Sequence, residues 1–267
     1  MKDIYKDILD KIECNQKLLA VLIDPDKSKV ENMAAFISKV NTASIDYIFV
    51  GGSTVKQDYT EKIVLEIKKY TLKPVIIFPG DVTQITNKAD ALLFLSLLSG
   101  NNPEYLIRKH VKAVPKLLKS NLEVIPTGYI LIENGKETSV QKVTQTNPIL
   151  RNNVEEIVNT AKAGEFLGMK LMYLEAGSGA AHPVPSTVIK AVKKILKIPL
   201  IVGGGIRSIE QLHTAYNSGA NLVVIGTAFE AVSYTHLRAH ETYLMISYAV
   251  FCLNKWGGGG GGGGGGG

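Results

Sequence analysis

Eight short apolar runs rich in β-branched residues, separated by stretches of helical period, constrain this chain more than any other feature. They are LLAVLI (Leu18–Ile23), YIFV (Tyr47–Val50), PVIIF (74–78), ALLFL (91–95), LEVIP (122–126), LMYLE (Leu171–Glu175), PLIVG (199–203) and LVVIG (222–226). Most are separated by segments such as NMAAFISKVN, YTEKIVLEIKKY, PEYLIRKHVKAVPKLLKS and VPSTVIKAVKKILK, with apolar residues at i, i+3, i+4 and i+7. Strands alternating with amphipathic helices predict parallel pairing through right-handed crossovers. Eight such units within residues 1–230 predict an α/β fold, a single-domain (β/α)8 TIM barrel, which takes about 250 residues. An open doubly wound sheet fits less well, because no GxGxxG follows the first strand. Between the fifth and sixth runs, YILIE followed by NGK reads as a β extension with a turn, placed on the loop side of the barrel.

Composition removes whole classes of function. At 45% hydrophobic and 20% charged residues the chain is neither disordered, collagenous nor a coiled coil. No run reaches the roughly 18 to 20 apolar residues of a membrane span, and MKDIYKDILDKIECNQK is amphipathic rather than a signal peptide, so a cytoplasmic protein is expected. Cys14 and Cys252 are too few for a disulfide framework or a thiolate metal site. The formal charge of +6 comes from lysines scattered among acids at helical spacing, which reads as solvated helix faces and not as a nucleic-acid partner.

Residues 231–267 read as foreign. VSYTHLRAHET and ISYAVFCL have no clear period, resemble a translated sequencing adapter, and run through Trp256 into an unbroken glycine run from Gly257 to Gly267. His236, His240, Cys252 and Trp256 are therefore assigned no function. On this reading the barrel domain ends at Glu230, its last helix is replaced, and the 267-residue product is expected to be poorly soluble or inactive.

The chemistry of such a barrel belongs at the C-terminal ends of its strands. Three successive ends are glycine-rich: YLEAGSG (Tyr173, Leu174, Glu175, Ala176, Gly177, Ser178, Gly179), GGGIRS (with Gly204 and Gly205) and GTA (Gly226, Thr227). Glycines there let backbone N–H groups approach an oxyanion, so a phosphate is expected across these mouths. The first strand ends in LIDPDKS. Asp24 suits a hard cation such as Mg2+, while Asp26 reads either as a second ligand or, by preference, as the cap of the following helix. Ser53, in the VGGST mouth, offers a hydroxyl to the metal or to a phosphate oxygen, and Asp81 in FPGD faces a diphosphate or caps VTQIT. Glu175 is placed to hold a substrate hydroxyl and take its proton. His110 and His213 lie in helical patterns as surface or packing residues, and His182 sits in a Pro-rich loop, so no Ser/His/Asp triad is supported.

Taken in order, LIDPDK, VGGS, FPGDVTQIT, KADALLFLSLLSGNNPEYLI, IPTGYILIENG, YLEAGSGA, VGGGIRS and VVIGTAFE resemble the geranylgeranylglyceryl phosphate synthase family. The resemblance implies a Mg2+-dependent prenyltransferase. It would join sn-glycerol 1-phosphate to a polyprenyl diphosphate, geranylgeranyl by preference over heptaprenyl, releasing diphosphate. It implies Asp24 and Ser53 as metal ligands, Tyr173 through Gly179 with Gly204, Gly205, Gly226 and Thr227 around glycerol 1-phosphate, and Glu175 as base. It further implies a homo-oligomer, with access to a membrane surface for the lipid product. Leu95, Leu97, Leu98, Tyr105, Ile125 and Tyr129 are the expected wall of an apolar groove for the prenyl chain. A different phosphate-binding barrel isomerase or synthase would share GGGIRS and GTA but need neither the LIDPDK mouth nor the groove.

Overall fold

Period-two side chains on the apolar runs decide the architecture. The computed structural model describes residues 3–53 and 58–226; the expectations for Thr227 and for residues 231–267 lie outside them. The strands are β1 (Leu18–Ile23), β2 (Tyr47–Val50), β3 (Val75–Ile77), β4 (Ala91–Leu97), β5 (Glu123–Leu131), β6 (Leu171–Glu175), β7 (Leu200–Gly203) and β8 (Leu222–Ile225). They form one closed parallel barrel in sequence order, with β8 returning to β1 in the register Leu18↔Leu222. Leu18, Ala20, Phe49, Leu93, Ile125, Tyr173, Ile201 and Val224 fill the interior. Their neighbours Leu19, Val21, Ile48, Leu92, Met172, Leu174, Val202 and Val223 pack outward beneath the helices. Both faces are buried, which is why the strands read as continuous apolar runs rather than alternating ones.

The helices are α1 (Ile4–Glu13), α2 (Met33–Thr42), α3 (Tyr59–Lys68), α4 (Lys109–Leu117), α5 (Ser139–Thr144), α6 (Val154–Phe166), α7 (Ser186–Ile195) and α8 (Ile209–Asn217). Helix α1 precedes the first strand and shuts the end of the barrel opposite the site. Its Ile4 and Ile8 join the interior cluster, and the Glu123 carboxylate at the start of β5 accepts the N–H groups of Ile4 and Tyr5 at 2.5 and 3.0 Å. Tyr47 Oη donates to Asp7 at 2.6 Å across the same end.

Three local expectations change. The third crossover contains no α-helix: VTQIT forms only a single 3-10 turn, Val82–Gln84, because its valine, isoleucine and two threonines are β-branched and the connection from Ile77 to Ala91 is short. Strand β5 does not end at Pro126. The β extension expected at YILIE is present, but it continues the barrel strand and does not lie on the loop side: Thr127–Leu131 finds a full parallel partner in β6, and Pro126 needs only its carbonyl, which accepts from Lys170 N at 2.8 Å. Lastly, the cap after β1 is Asp24 rather than Asp26. Asp24 has extended backbone and its side chain accepts from Asp26 N at 3.2 Å, whereas Asp26 lies inside the turn Pro25–Lys27 and is exposed.

Candidate active site

Strand parity selects what enters the mouth. Glu175 continues the inward row Leu171, Tyr173, and Asp24 continues Leu18, Ala20, Leu22 on β1. Leu174 and Ala176 point the other way, into the layer beneath the helices, so they serve the mouth only through their backbone.

Glu175 is the buried ionisable group of the mouth, at 6% exposure. Its Oε1 accepts the Gly177 N–H at 2.6 Å. The Tyr173 hydroxyl lies beside the carboxylate without a well-formed hydrogen bond. Burial pushes the Glu175 carboxyl up to about 7, against the smaller opposing pull of the Gly177 N–H and Tyr173. Desolvation, followed by the nearby carboxylate, also holds the Tyr129 and Tyr173 phenols well above their ordinary value, so both stay protonated. The two rings meet at 5.4 Å between centroids, and Phe78 packs on both.

The glycines predicted around the phosphate fall into two kinds. Gly204 has φ +83°, and a Cβ there would lie 2.6 Å from Gly177 N, 2.9 Å from Ala176 N and closer still to Glu175 Oε1. It is therefore the point at which the GGGIRS and YLEAGSG loops touch. Gly179, at φ +73°, has nothing within 4 Å of such a Cβ, so its requirement is conformational alone. Gly177 and Gly205 also have positive φ, Ser178 is exposed, and a Cβ on Gly226 would meet nothing within 4 Å.

Three supports of these loops were missed in the sequence. Asn134, after β5, is buried and its Nδ2 donates to Ala176 O. Thr138 packs its methyl on Gly177 and caps α5 in a reciprocal box with Gln141. Arg207 donates to Ala180 O at 2.7 Å, tying the GGGIRS loop to the GSGA turn. The T-x-x-Q spacing of Thr138 and Gln141 was the available signal; nothing in the sequence announced that the box rests on Gly177.

On the opposite rim, Asp24 lies flush against Gly52: a Cβ at Gly52 would sit 2.8 Å from Asp24 Oδ1. Lys27 Nζ is 2.8 Å from the other carboxylate oxygen. Ser53 follows Gly52 and is half-buried. No cluster of three His, Cys, Asp or Glu occurs among the described residues. One carboxylate and one hydroxyl fit a Mg2+ that takes its remaining oxygens from a bound diphosphate, the usual mode for that ion.

From Gly52 and Ser53 an apolar groove leads away past Phe78, Leu95, Leu97, Tyr105 and Tyr129, then over the outer side of β4 at Leu92 and Phe94, under His110 and Ala113. It occupies the side of the barrel where the third crossover lacks a helix. Leu98 and Ile125 do not line it. Leu98 turns outward to Gly128, Gly164 and Met172, and Ile125 lies in the barrel interior. His110 is a buried packing residue, edge-on to Phe94 at 4.4 Å and 3.2 Å from Ser96 Oγ, with its pKa lowered by burial. His213 and His182 are exposed. Asp81 takes the capping role, accepting from Thr83 N at 3.0 Å, and pairs with Lys109 at 2.7 Å. Burial alone would raise its carboxyl, but the Lys109 contact prevails and holds it below the ordinary value.

Fold and site together define a barrel enzyme, with a polar mouth opening into an apolar groove. The PcrB family model matches residues 12–242. This chain belongs to the PcrB family. It is 54% identical over 227 residues to the geranylgeranylglyceryl phosphate synthase of Flavobacterium johnsoniae, covering 85% of this chain and 93% of that protein. Against the enzyme of the same name from Zunongwangia profunda the identity is 56% over 230 residues, covering 86% and 98%. A crystal structure of (S)-3-O-geranylgeranylglyceryl phosphate synthase from Thermoplasma acidophilum, in complex with its substrate sn-glycerol-1-phosphate, superposes with a TM-score of 0.82 at 34% identity, covering 88% and 95% of the two chains.

Proposed function

We propose that this protein is a geranylgeranylglyceryl phosphate synthase: it transfers the geranylgeranyl group from its diphosphate to a hydroxyl of sn-glycerol 1-phosphate. The observation that carries the reading is a buried carboxylate next to the wall of an apolar groove. The buried Glu175 carboxyl, pushed up to about 7, faces Tyr129, and Tyr129 packs on Tyr173 and lines the apolar groove that begins at Gly52 and Ser53.

In this reading the loops around Gly177, Gly179, Gly204, Gly205 and Gly226 receive the phosphate through backbone N–H groups and present the glycerol hydroxyl to Glu175. Glu175 accepts the hydroxyl proton as the oxygen bonds to C1 of the prenyl chain and the C1–O bond to diphosphate breaks. Asp24 and Ser53 would hold Mg2+, which when bound neutralises charge on the departing diphosphate. The walls of Phe78, Leu95, Leu97 and Tyr129 exclude water from the allylic carbon.

The direct test incubates the protein with Mg2+, geranylgeranyl diphosphate and either sn-glycerol 1-phosphate or its 3-phosphate enantiomer, with mass detection of the ether. It is run on the 267-residue chain and on a chain whose end beyond Glu230 is restored from the source DNA. Product from the 1-phosphate alone is expected of the chain with the restored end. A folded protein that makes none from either would turn the assignment to another phosphate-binding barrel reaction, and a preference for heptaprenyl diphosphate would correct the donor.

The metal assignment has its own test. Asp24→Asn should raise the Mg2+ concentration needed for half-maximal rate more than about tenfold, because the site has one carboxylate to lose. An unchanged Mg2+ dependence would remove Asp24 as a ligand.

A further inference from the structure

Helix α4 shows three different faces. Tyr105 in the preceding turn, with Lys109, His110 and Ala113, looks into the groove. Away from it, Ile107, Val111, Val114 and Leu118 follow at i, i+4, i+7 and i+11 and so share one face, with exposures of 56%, 63%, 44% and 82%. Arg108, Lys112 and Lys119 run along a neighbouring flank at the spacing i, i+4 and i+11, and Glu104 is the single acid among five cations in residues 104–120. The segment opens with a π-helical stretch, Glu104–Arg108, which departs from the regular helix where it crosses the groove.

An apolar stripe of this size on a water-facing helix calls for a cover. A second copy packed stripe to stripe about a two-fold axis would bring the cationic flanks of the two α4 helices together, with only Glu104 to compensate. That repulsion disfavours the symmetric contact. Arg108 and Lys112 share the Glu104 carboxylate at 3.4 and 3.0 Å, so one acid offsets two cations and the flank stays positive. An anionic lipid surface satisfies both features at once, burying the stripe in the headgroup layer while phosphates meet Lys119 and the uncompensated charge of the Arg108–Lys112 pair.

We infer that the exposed face of α4 docks this protein onto anionic membrane surfaces, so that the wall of the groove lies against the bilayer and prenyl chains enter or leave without crossing water. The inference rests on the proposed function for the identity of the chain in the groove; the docking itself does not depend on turnover.

Flotation with phosphatidylglycerol–phosphatidylcholine vesicles, beside phosphatidylcholine vesicles alone, tests it. The protein should float with the anionic vesicles, lose most of that binding as salt is raised, and bind at least about tenfold less when Val111→Asp and Leu118→Asp are combined. Should the double Asp variant fail to fold, V111S with L118S keeps the comparison. Residues 227–267 are common to all these proteins, so the difference between them reports α4. Sedimentation is measured on the same samples. Undiminished flotation by the variant, equal binding to the uncharged vesicles, or a fall in oligomer mass on substitution would each overturn the proposal, the last by making a second copy the cover. A protein that floats as expected but forms no ether would refute the proposed function and leave the docking standing.

Discussion

Glu175→Gln is expected to lower turnover by about 10²- to 10⁴-fold, the range for losing a positioned general base. Binding of glycerol 1-phosphate should change little. Gln keeps an oxygen for the Gly177 N–H, so the loop proposed to bear the phosphate stays anchored while proton acceptance is lost. The pH dependence separates this from a structural effect. With the carboxyl at about 7, kcat/KM of the parent enzyme should rise through neutrality and level off above it. The Gln variant should retain only whatever ionisation the substrate phosphate contributes. A second consequence runs opposite in sign. A carboxyl raised from 4.5 to about 7 is held protonated by the folded state while the unfolded chain ionises, so stability falls as pH rises between those values and stays low above them. The shift corresponds to roughly 3 kcal/mol. Glu175→Gln should therefore melt higher than the parent at pH 8 and similarly at pH 4. Full turnover in the variant would eliminate Glu175 as the base, and an equal melting temperature at pH 8 would contradict the buried charge.

Gly204→Ala is the second large effect. The left-handed conformation alone costs a side chain about 1–2 kcal/mol. Here the new Cβ also meets two backbone nitrogens, at 2.6 and 2.9 Å, and Glu175 Oε1. Backbone on both loops has to move, so a total of about 3 kcal/mol is expected, a fall in Tm of roughly 6–12 °C for a chain of this size. Affinity for glycerol 1-phosphate should drop more than about 100-fold, since the displaced atoms are those proposed to frame the phosphate. Gly179→Ala provides the control. It has positive φ but open space, so it should lose only the conformational part. Equal Tm values for the two variants would mean that the contact between the loops at Gly204 carries no stability of its own.

Much of the candidate site was visible before the fold. Asp24, Ser53, Glu175 and the glycines all stand directly after apolar runs, and a parallel barrel gathers its strand ends at one mouth. Glu175 and Gly204 do touch through their loops, and Asp24 does lie on Gly52. What escaped was set by contacts between segments far apart in the chain. Asn134 reaches Ala176 across 42 residues, and no local pattern marks it. Leu98 and Ile125 have the right composition for a groove wall, but one sits on the outer side of its strand and the other too deep in the barrel. Asp26 offers the same capping chemistry as Asp24, and the choice fell to the residue that leaves β1 in extended backbone.

By itself the sequence determined the barrel, because eight runs buried on both faces, each linked to the next, have few other ways to hide their surface. It also determined which residues stand at the ends of β1, β2, β6 and β7, where the apolar run and the strand stop together. Tertiary structure alone decided the protonation of Glu175, which comes from burial beneath two loops and not from any neighbour in sequence. It alone decided the groove as well, which lies where the short, β-branched third crossover forms a single 3-10 turn and no α-helix.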